Sequence, residues 1–166
     1  MLVNNLYKVA WFVGLTLLQA LILNNVHIGG VATPFLYIYM LLKFDSATSR
    51  NTLLLWAFFL GLAVDLFSDT PGMNVVAAVM LAFVQPLFLR LFAPRDTLDN
   101  LIPSTKSMGL FPFVRYAALC VLVHHATLFT VEFFSFAHLG LLLLRIVCST
   151  LLTLACIVAI EGLRRK

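Results

Sequence analysis

Apolar residues run through this chain in long blocks, separated by short polar clusters, and block length sets the first expectation. A helix needs about 20 largely apolar residues to cross a bilayer, with a range of about 17 to 25. Six blocks approach that length, near residues 6–23, 27–43, 52–68, 72–92, 112–134 and 139–161. The pattern predicts an all-α, polytopic membrane protein, a single six-helix transmembrane domain over residues 1–166. The second block is the weakest. It opens near Gly29 and Gly30, contains Pro34, and its unbroken apolar run covers only residues 35–42. A re-entrant segment is the alternative there, because irregular backbone is tolerated at membrane depth where protein shelters it.

Composition agrees with lipid as the solvent. The chain is 62% hydrophobic and 11% charged, with a mean hydropathy of +1.03. Soluble domains run near half apolar and a quarter charged, and a chain of 166 residues has too little interior to hide this much apolar surface from water. The net charge of +4 reads as topology and not as a nucleic-acid surface, since basic residues collect in cytoplasmic loops.

Charge also arbitrates the second block. With six spans and both ends cytoplasmic, the inner side carries Lys8, Lys43, Arg50, Arg90, Arg95, Lys106, Arg115, Arg164, Arg165 and Lys166, ten of the eleven basic residues. The eleventh, Arg145, lies inside the last span. If the second block failed to cross, Lys8 alone would stay inside, against the bias that orients membrane proteins. Six spans are therefore expected, with the first helix uncleaved, because no small-residue cleavage site follows Leu23. The longest loop, residues 93–111, is expected to be a solvated linker; Leu98, Leu101, Ile102 and Leu110 leave open a segment lying along the interface.

Polar residues inside the spans each ask for a reason, since a charge at a helix centre costs at least about 2.5–3.5 kcal/mol. The run from Gly61 to Asn74 holds Asp65 and Asp69, four apart and on one face if the third helix continues that far. Pro71 and Gly72 predict a tight turn, Thr70 or Asn74 a cap for the next helix, and Gly61 a close helix approach. An aspartyl-protease pair would need both carboxylates to converge on one water; helix capping is the simpler reading. Glu132 and Arg145 fall at similar depth on either side of a turn around residues 135–138 and are expected to form an intramembrane ion pair, with an anion site on Arg145 as the alternative. His124 and His125 point about 100° apart and cannot chelate one metal together. Gln19 and Gln85 are expected to bond across helices, and Gln85-Pro86 marks a kink.

Cys120, Cys148 and Cys156 lack ligand spacing and read as small buried hydrophobes. No phosphate loop, His-Glu-x-x-His or Gly-x-Ser-x-Gly motif occurs. No cofactor, metal or catalytic residue is expected, and no internal repeat of the transporter kind is visible.

With the glycine, the aspartate four residues later and the Pro-Gly turn of residues 61–74, the Leu18-Gln19-Ala20-Leu21 stretch, Pro34 in the second span and the basic C-terminal tail, the chain resembles the MreD family of rod shape-determining membrane proteins over essentially its full length. The resemblance implies a scaffold in the bacterial cytoplasmic membrane that binds an MreC-like bitopic protein. Directly or through that partner it would reach the MreB filament, RodA and penicillin-binding protein 2. It further implies an architecture similar to the substrate-binding components of energy-coupling-factor vitamin transporters. His124-His125 departs from the simple family picture. Two function classes stay open: a non-enzymatic adaptor working through helix surfaces, and a small-molecule binder with an outward pocket, which would need convergent polar groups over a cavity.

Overall fold

The computed structural model describes residues 2–26, 28–94, 101–133 and 139–164, with side chains from Val9 onward. Helix α1 spans Leu2–Leu21 and runs into a 3₁₀ turn at Leu23–Asn25; α2 is Ile38–Leu42, α3 Arg50–Ser68, α4 Met73–Phe92, α5 Thr105–Met108, α6 Leu110–Phe133 and α7 Leu139–Arg164. Among the described residues there is no strand, only an isolated bridge between Ile28 and Ala32. Four of the helices, α3, α4, α6 and α7, are long and apolar enough to cross a membrane. The turn expected at residues 135–138 and residues 95–100 of the long loop lie outside the described residues.

The long helices pack side by side in the order α1, α3, α4, α6, α7. Gly61 makes the α3–α4 contact possible: a Cβ there would stand 2.6 Å from the Cα of Val75 and 2.7 Å from the carbonyl oxygen of Asn74. Backbone atoms cannot swing aside, so only glycine fits. The two helices are joined by a turn in which the N–H of Met73 donates to the carbonyl of Thr70 at 3.3 Å. Pro71 supplies the fixed φ this turn wants and Gly72, at φ 83°, takes its left-handed position. At its other end α3 starts on Ser49, whose hydroxyl accepts the N–H of Thr52.

The second block departs from the expected helix over 27–43. Only Ile38–Leu42 is α-helical; residues 28–32 form a turn closed by the Ile28–Ala32 bridge, and residues 33–36 run on from it, without turn or helix, between the long helices. Residues 34–42 are all buried, with Tyr37, Ile38, Tyr39, Leu41 and Leu42 wholly inaccessible. Its pace along α7 shows the conformation. The N–H of Thr33 donates to Ser149 and the N–H of Phe35 to Thr153. Two residues of this segment therefore keep step with four of α7, about 6 Å in each case if the segment is extended and twice what a helix would advance. Pro34 and the paired glycines explain why no helix forms there.

Extended backbone at this depth survives only if its polar groups find partners, and from Val31 to Leu36 every N–H does. Val31 and Ala32 donate to the carbonyl of Ile28, Thr33 to Ser149, Phe35 to Thr153 and Leu36 to the Gln19 side chain, while Pro34 has no N–H to satisfy. Gln19 also donates to the carbonyl of Pro34 at 3.0 Å. A glutamine, a serine and a threonine on the flanking helices thus stand in for a neighbouring strand.

The loop between α4 and α6 is not a free linker in its described part. Leu101 and Ser46 exchange two bonds of 3.0 Å, Leu101 and Met108 are buried, and α5 is capped by Ser104. Ile102 and Leu110 are exposed.

Candidate functional site

Two polar layers cross the interior, one near the α3–α4 turn and one at the opposite end of the bundle. The first is built on Asp65, 4% exposed on the last turns of α3. Its Oδ1 accepts from the Thr70 hydroxyl at 2.9 Å, the Asn74 N–H at 3.0 Å and the Asn74 amide at 2.9 Å, and its Oδ2 accepts the Val75 N–H at 3.0 Å. The N-cap residue of α4, Gly72, has no side chain to offer, so the carboxylate of the preceding helix caps α4. Neither Thr70 nor Asn74 is the cap. Asp69 does not share Asp65's face either: α3 ends at Ser68, and Asp69 is exposed in the left-handed region at φ 54°.

From Asp65 the network runs inward. The Asn74 amide nitrogen is bound to Asp65 and Thr70, so its oxygen faces the Tyr37 hydroxyl at 3.1 Å and must accept from it. The Tyr37 oxygen then accepts from Nε2 of His124, 2.6 Å away. This assigns His124 the Nε2–H tautomer and leaves its Nδ1 without a hydrogen-bond partner among the described residues. The neighbouring ring is wired oppositely. Nδ1 of His125 donates to the carbonyl of Val121 at 2.8 Å, and its Nε2 accepts from Thr153, whose oxygen in turn takes the Phe35 N–H. Both histidines are fully buried on one helix and both serve the extended segment, one through Tyr37 and the other through Thr153. Gln19 joins from α1: its amide reaches Asn24 at 2.8 Å, and Asn24 donates to Ser68.

The opposite layer centres on Glu161 of α7, 3% exposed. Its Oε1 accepts from the Tyr39 hydroxyl and from Nζ of Lys43 at 2.8 Å, and its Oε2 accepts the Thr105 N–H at 3.0 Å. Lys43 donates onward to the carbonyl of Pro103 at 2.6 Å. Arg164 donates to the Tyr39 hydroxyl at 3.2 Å and stacks over Trp11. One carboxylate ties α7 to the end of α2 and to the start of α5. Sequence reasoning missed it: Lys43 entered only the count of inner basic residues, and position 161 only as the end of the last span. The signal was available: opposite charges at the same expected depth, the argument that paired Glu132 with Arg145.

That pair is present in a different setting. Nη1 of Arg145 stands 3.2 Å from Oε1 of Glu132, but the side chains are 30% and 41% exposed, and the guanidinium also covers Phe133 at 5.1 Å. Gln85 donates to the Tyr116 hydroxyl at 2.9 Å, which donates to the carbonyl of Leu42, so it too braces the second segment. Pro86 sits inside α4. Cys120 is buried, Cys148 and Cys156 partly so, and all are free. Among the described residues no three His, Cys, Asp or Glu side chains converge as metal ligands.

Beside the Asp65 layer lies a cavity of about 620 Å³, with Asn24, Thr70, Asn74, Glu132 and Arg145 among the polar groups on its wall. No protein-family model, curated protein or solved structure matches this chain.

Proposed function

We propose that this chain is a non-enzymatic membrane scaffold of the bacterial cell-elongation machinery, in the manner of the MreD family its sequence resembles. It lies in the cytoplasmic membrane with six crossings and both ends inside. The course of residues 33–39 along α7 from Ser149 to Glu161 supports the second crossing, made by extended chain within protein instead of by a helix in lipid. The basic-residue distribution then gives the orientation.

The observation that carries the scaffold reading is the state of Asp65. A carboxylate that accepts four hydrogen bonds from its own hairpin, two of them from the first N–H groups of α4, is committed to holding that helix in place. Its partner for protease chemistry, Asp69, is exposed beyond the helix end. The buried polar residues hold the helices in place, and the molecule works through its lipid-facing surfaces. The partners are an MreC-like bitopic protein and, directly or through it, the MreB filament, RodA and penicillin-binding protein 2. Purification from membranes co-expressing an MreC-like protein should retain that partner through detergent extraction. Retention should fall in an Asp65→Leu variant. Loss of the partner from the unmodified, folded chain would sink the reading.

The cavity of about 620 Å³ favours a second reading, a vitamin-type substrate-binding component, because its size suits a small ligand and Asn24, Thr70, Asn74, Glu132 and Arg145 converge on its wall. Thermal-shift screening against small molecules separates the two. A tight ligand whose effect disappears in Arg145→Gln, without partner retention, selects the binder.

A further inference from the structure

At the Glu161 end of the bundle a cavity of about 390 Å³ opens between α3 and α4, lined in part by Asp45, Thr48, Arg50, Phe83, Pro86 and Arg90. It opens where Pro86, lacking an N–H, interrupts the α4 ladder. The Arg50 guanidinium lies 4.2 Å from the centre of the Phe83 ring and donates to the Phe83 carbonyl at 3.4 Å. Arg90, one turn past the proline, is exposed and makes no hydrogen bond among the described residues. Asp45 accepts the Thr48 hydroxyl at 2.6 Å. Two arginines against one aspartate leave the lining with one net positive charge.

Phe83 also belongs to a second cavity, of about 530 Å³ and almost wholly apolar, shared with Phe58, Val76, Val79, Met80 and Thr127. On α4 the exposed side chains Val76, Met80, Phe83 and Leu87 follow one another at four, three and four residues, and Arg90 comes three later. They make a single stripe. From Val76 to Arg90 it rises about 21 Å, more than the half-thickness of about 15 Å that one leaflet contributes to the hydrocarbon. An apolar channel of leaflet length that ends in a net positive pocket matches an acidic amphiphile in both halves.

We propose that this groove is a binding site for a monoanionic glycerophospholipid, with its phosphodiester between Arg50 and Arg90 and one acyl chain along the Val76–Leu87 stripe. Asp45 refines the choice. It disfavours a doubly charged headgroup and accepts hydrogen bonds from headgroup hydroxyls, which selects phosphatidylglycerol over phosphatidic acid. The inference requires only that the chain sits in a membrane and stands apart from the scaffold reading.

Native mass spectrometry of the full-length chain in detergent, titrated in parallel with phosphatidylglycerol, phosphatidylethanolamine and phosphatidylcholine, tests it. Phosphatidylglycerol adducts should form at several-fold lower lipid concentration than the others. Arg90→Gln should weaken them about fivefold while leaving phosphatidylcholine adducts unchanged. Arg115→Gln, an exposed arginine of α6 outside the groove, should change neither. Met80→Trp should lower phosphatidylglycerol binding with both arginines intact. On the unmodified chain, raising salt should erode the preference, which keeps the test valid should a variant misfold. Soluble glycerol phosphate should not displace the lipid; full displacement would reduce the site to a headgroup pocket and overturn the proposal. Equal binding of the three lipids, equal effects of the Arg90 and Arg115 substitutions, or a dimer of this chain in place of lipid adducts would each overturn it too.

Discussion

At the α3–α4 hairpin a carboxylate that is 4% exposed receives four hydrogen bonds from its own chain and has no cation among them. At the α6–α7 hairpin a carboxylate with 41% of its side chain exposed faces one arginine across 3.2 Å. Sequence reasoning treats both as charges that hold a hairpin in lipid, yet they hold it differently. Asp65 is stabilised by the N–H groups at the start of α4, where the helix dipole favours negative charge. Its removal would strand the backbone N–H groups of Asn74 and Val75. Glu132 and Arg145 bond to each other and, among the described residues, to no backbone group, so the loss of either strands no backbone donor. The amount of buried backbone that depends on a charge, more than the charge itself, decides what it contributes.

The strongest break of this contrast is Asp65→Leu. The substitution leaves the N–H groups of Asn74 and Val75 without their acceptor and turns a buried cap into an apolar group, a loss of about 4 kcal/mol. Unfolding in mixed micelles of rising dodecyl sulfate should show it, and an unfolding curve like the parent's would remove Asp65 from the centre of the hairpin. Gly61→Ala comes next, at about 3 kcal/mol by overpacking, because the new methyl would meet the α4 backbone at 2.6 Å. It attacks the same hairpin without touching a hydrogen bond. If Gly61→Ala exceeds Asp65→Leu, packing outweighs capping as the hairpin's main support.

Gln19→Leu extends the comparison to the extended segment, where neutral amides and hydroxyls do for backbone what Asp65 does for α4. The variant strands the Leu36 N–H and the Pro34 carbonyl and should destabilise by about 2 kcal/mol. Amide hydrogen exchange at Leu36 should accelerate, while the α3–α4 hairpin stays protected. Exchange that rises equally in both places would mean the two regions open as one unit.

How much of this was legible before the structure follows from the range of the forces involved. Hydropathy located the long helices within a few residues, because lipid imposes one length and one composition on each: 52–68 became Arg50–Ser68 and 139–161 became Leu139–Arg164. The second block resisted the same treatment. Its conformation is set by partners 17 to 118 residues away, Gln19 for Leu36 and Thr153 for Phe35, and no local pattern encodes them. Pro34 and Gly29-Gly30 did announce that a helix was in difficulty. The Asp65–Asn74 run was readable as a capped hairpin, though not as one helix capped by another. Tyr37, Ser149 and Thr153 gave no sign, since a tyrosine, a serine and a threonine in apolar helices are unremarkable until an irregular backbone is placed beside them. Glu161 and Lys43 are readable from sequence as opposite charges at one expected depth.

The smallest expected effect belongs to the α6–α7 hairpin and gives the comparison its sharpest edge. Glu132→Gln removes an ion pair whose members are 41% and 30% exposed, and such pairs contribute about 0.2–1 kcal/mol. Arg145→Gln should cost somewhat more, because the guanidinium also lies over the Phe133 ring, an interaction of about 0.5–1 kcal/mol at an exposed site. The two losses should therefore rank Arg145 above Glu132, and both should remain well below Asp65→Leu in the same micellar titration. Raised ionic strength should shrink the Glu132 effect and leave the Asp65 effect intact, since salt screens the exposed pair and not the buried cap. A Glu132→Gln loss as large as that of Asp65→Leu would place the pair in a far drier setting than its exposure indicates. The distinction between a charge held by backbone and a charge held by its opposite would then fail for this bundle.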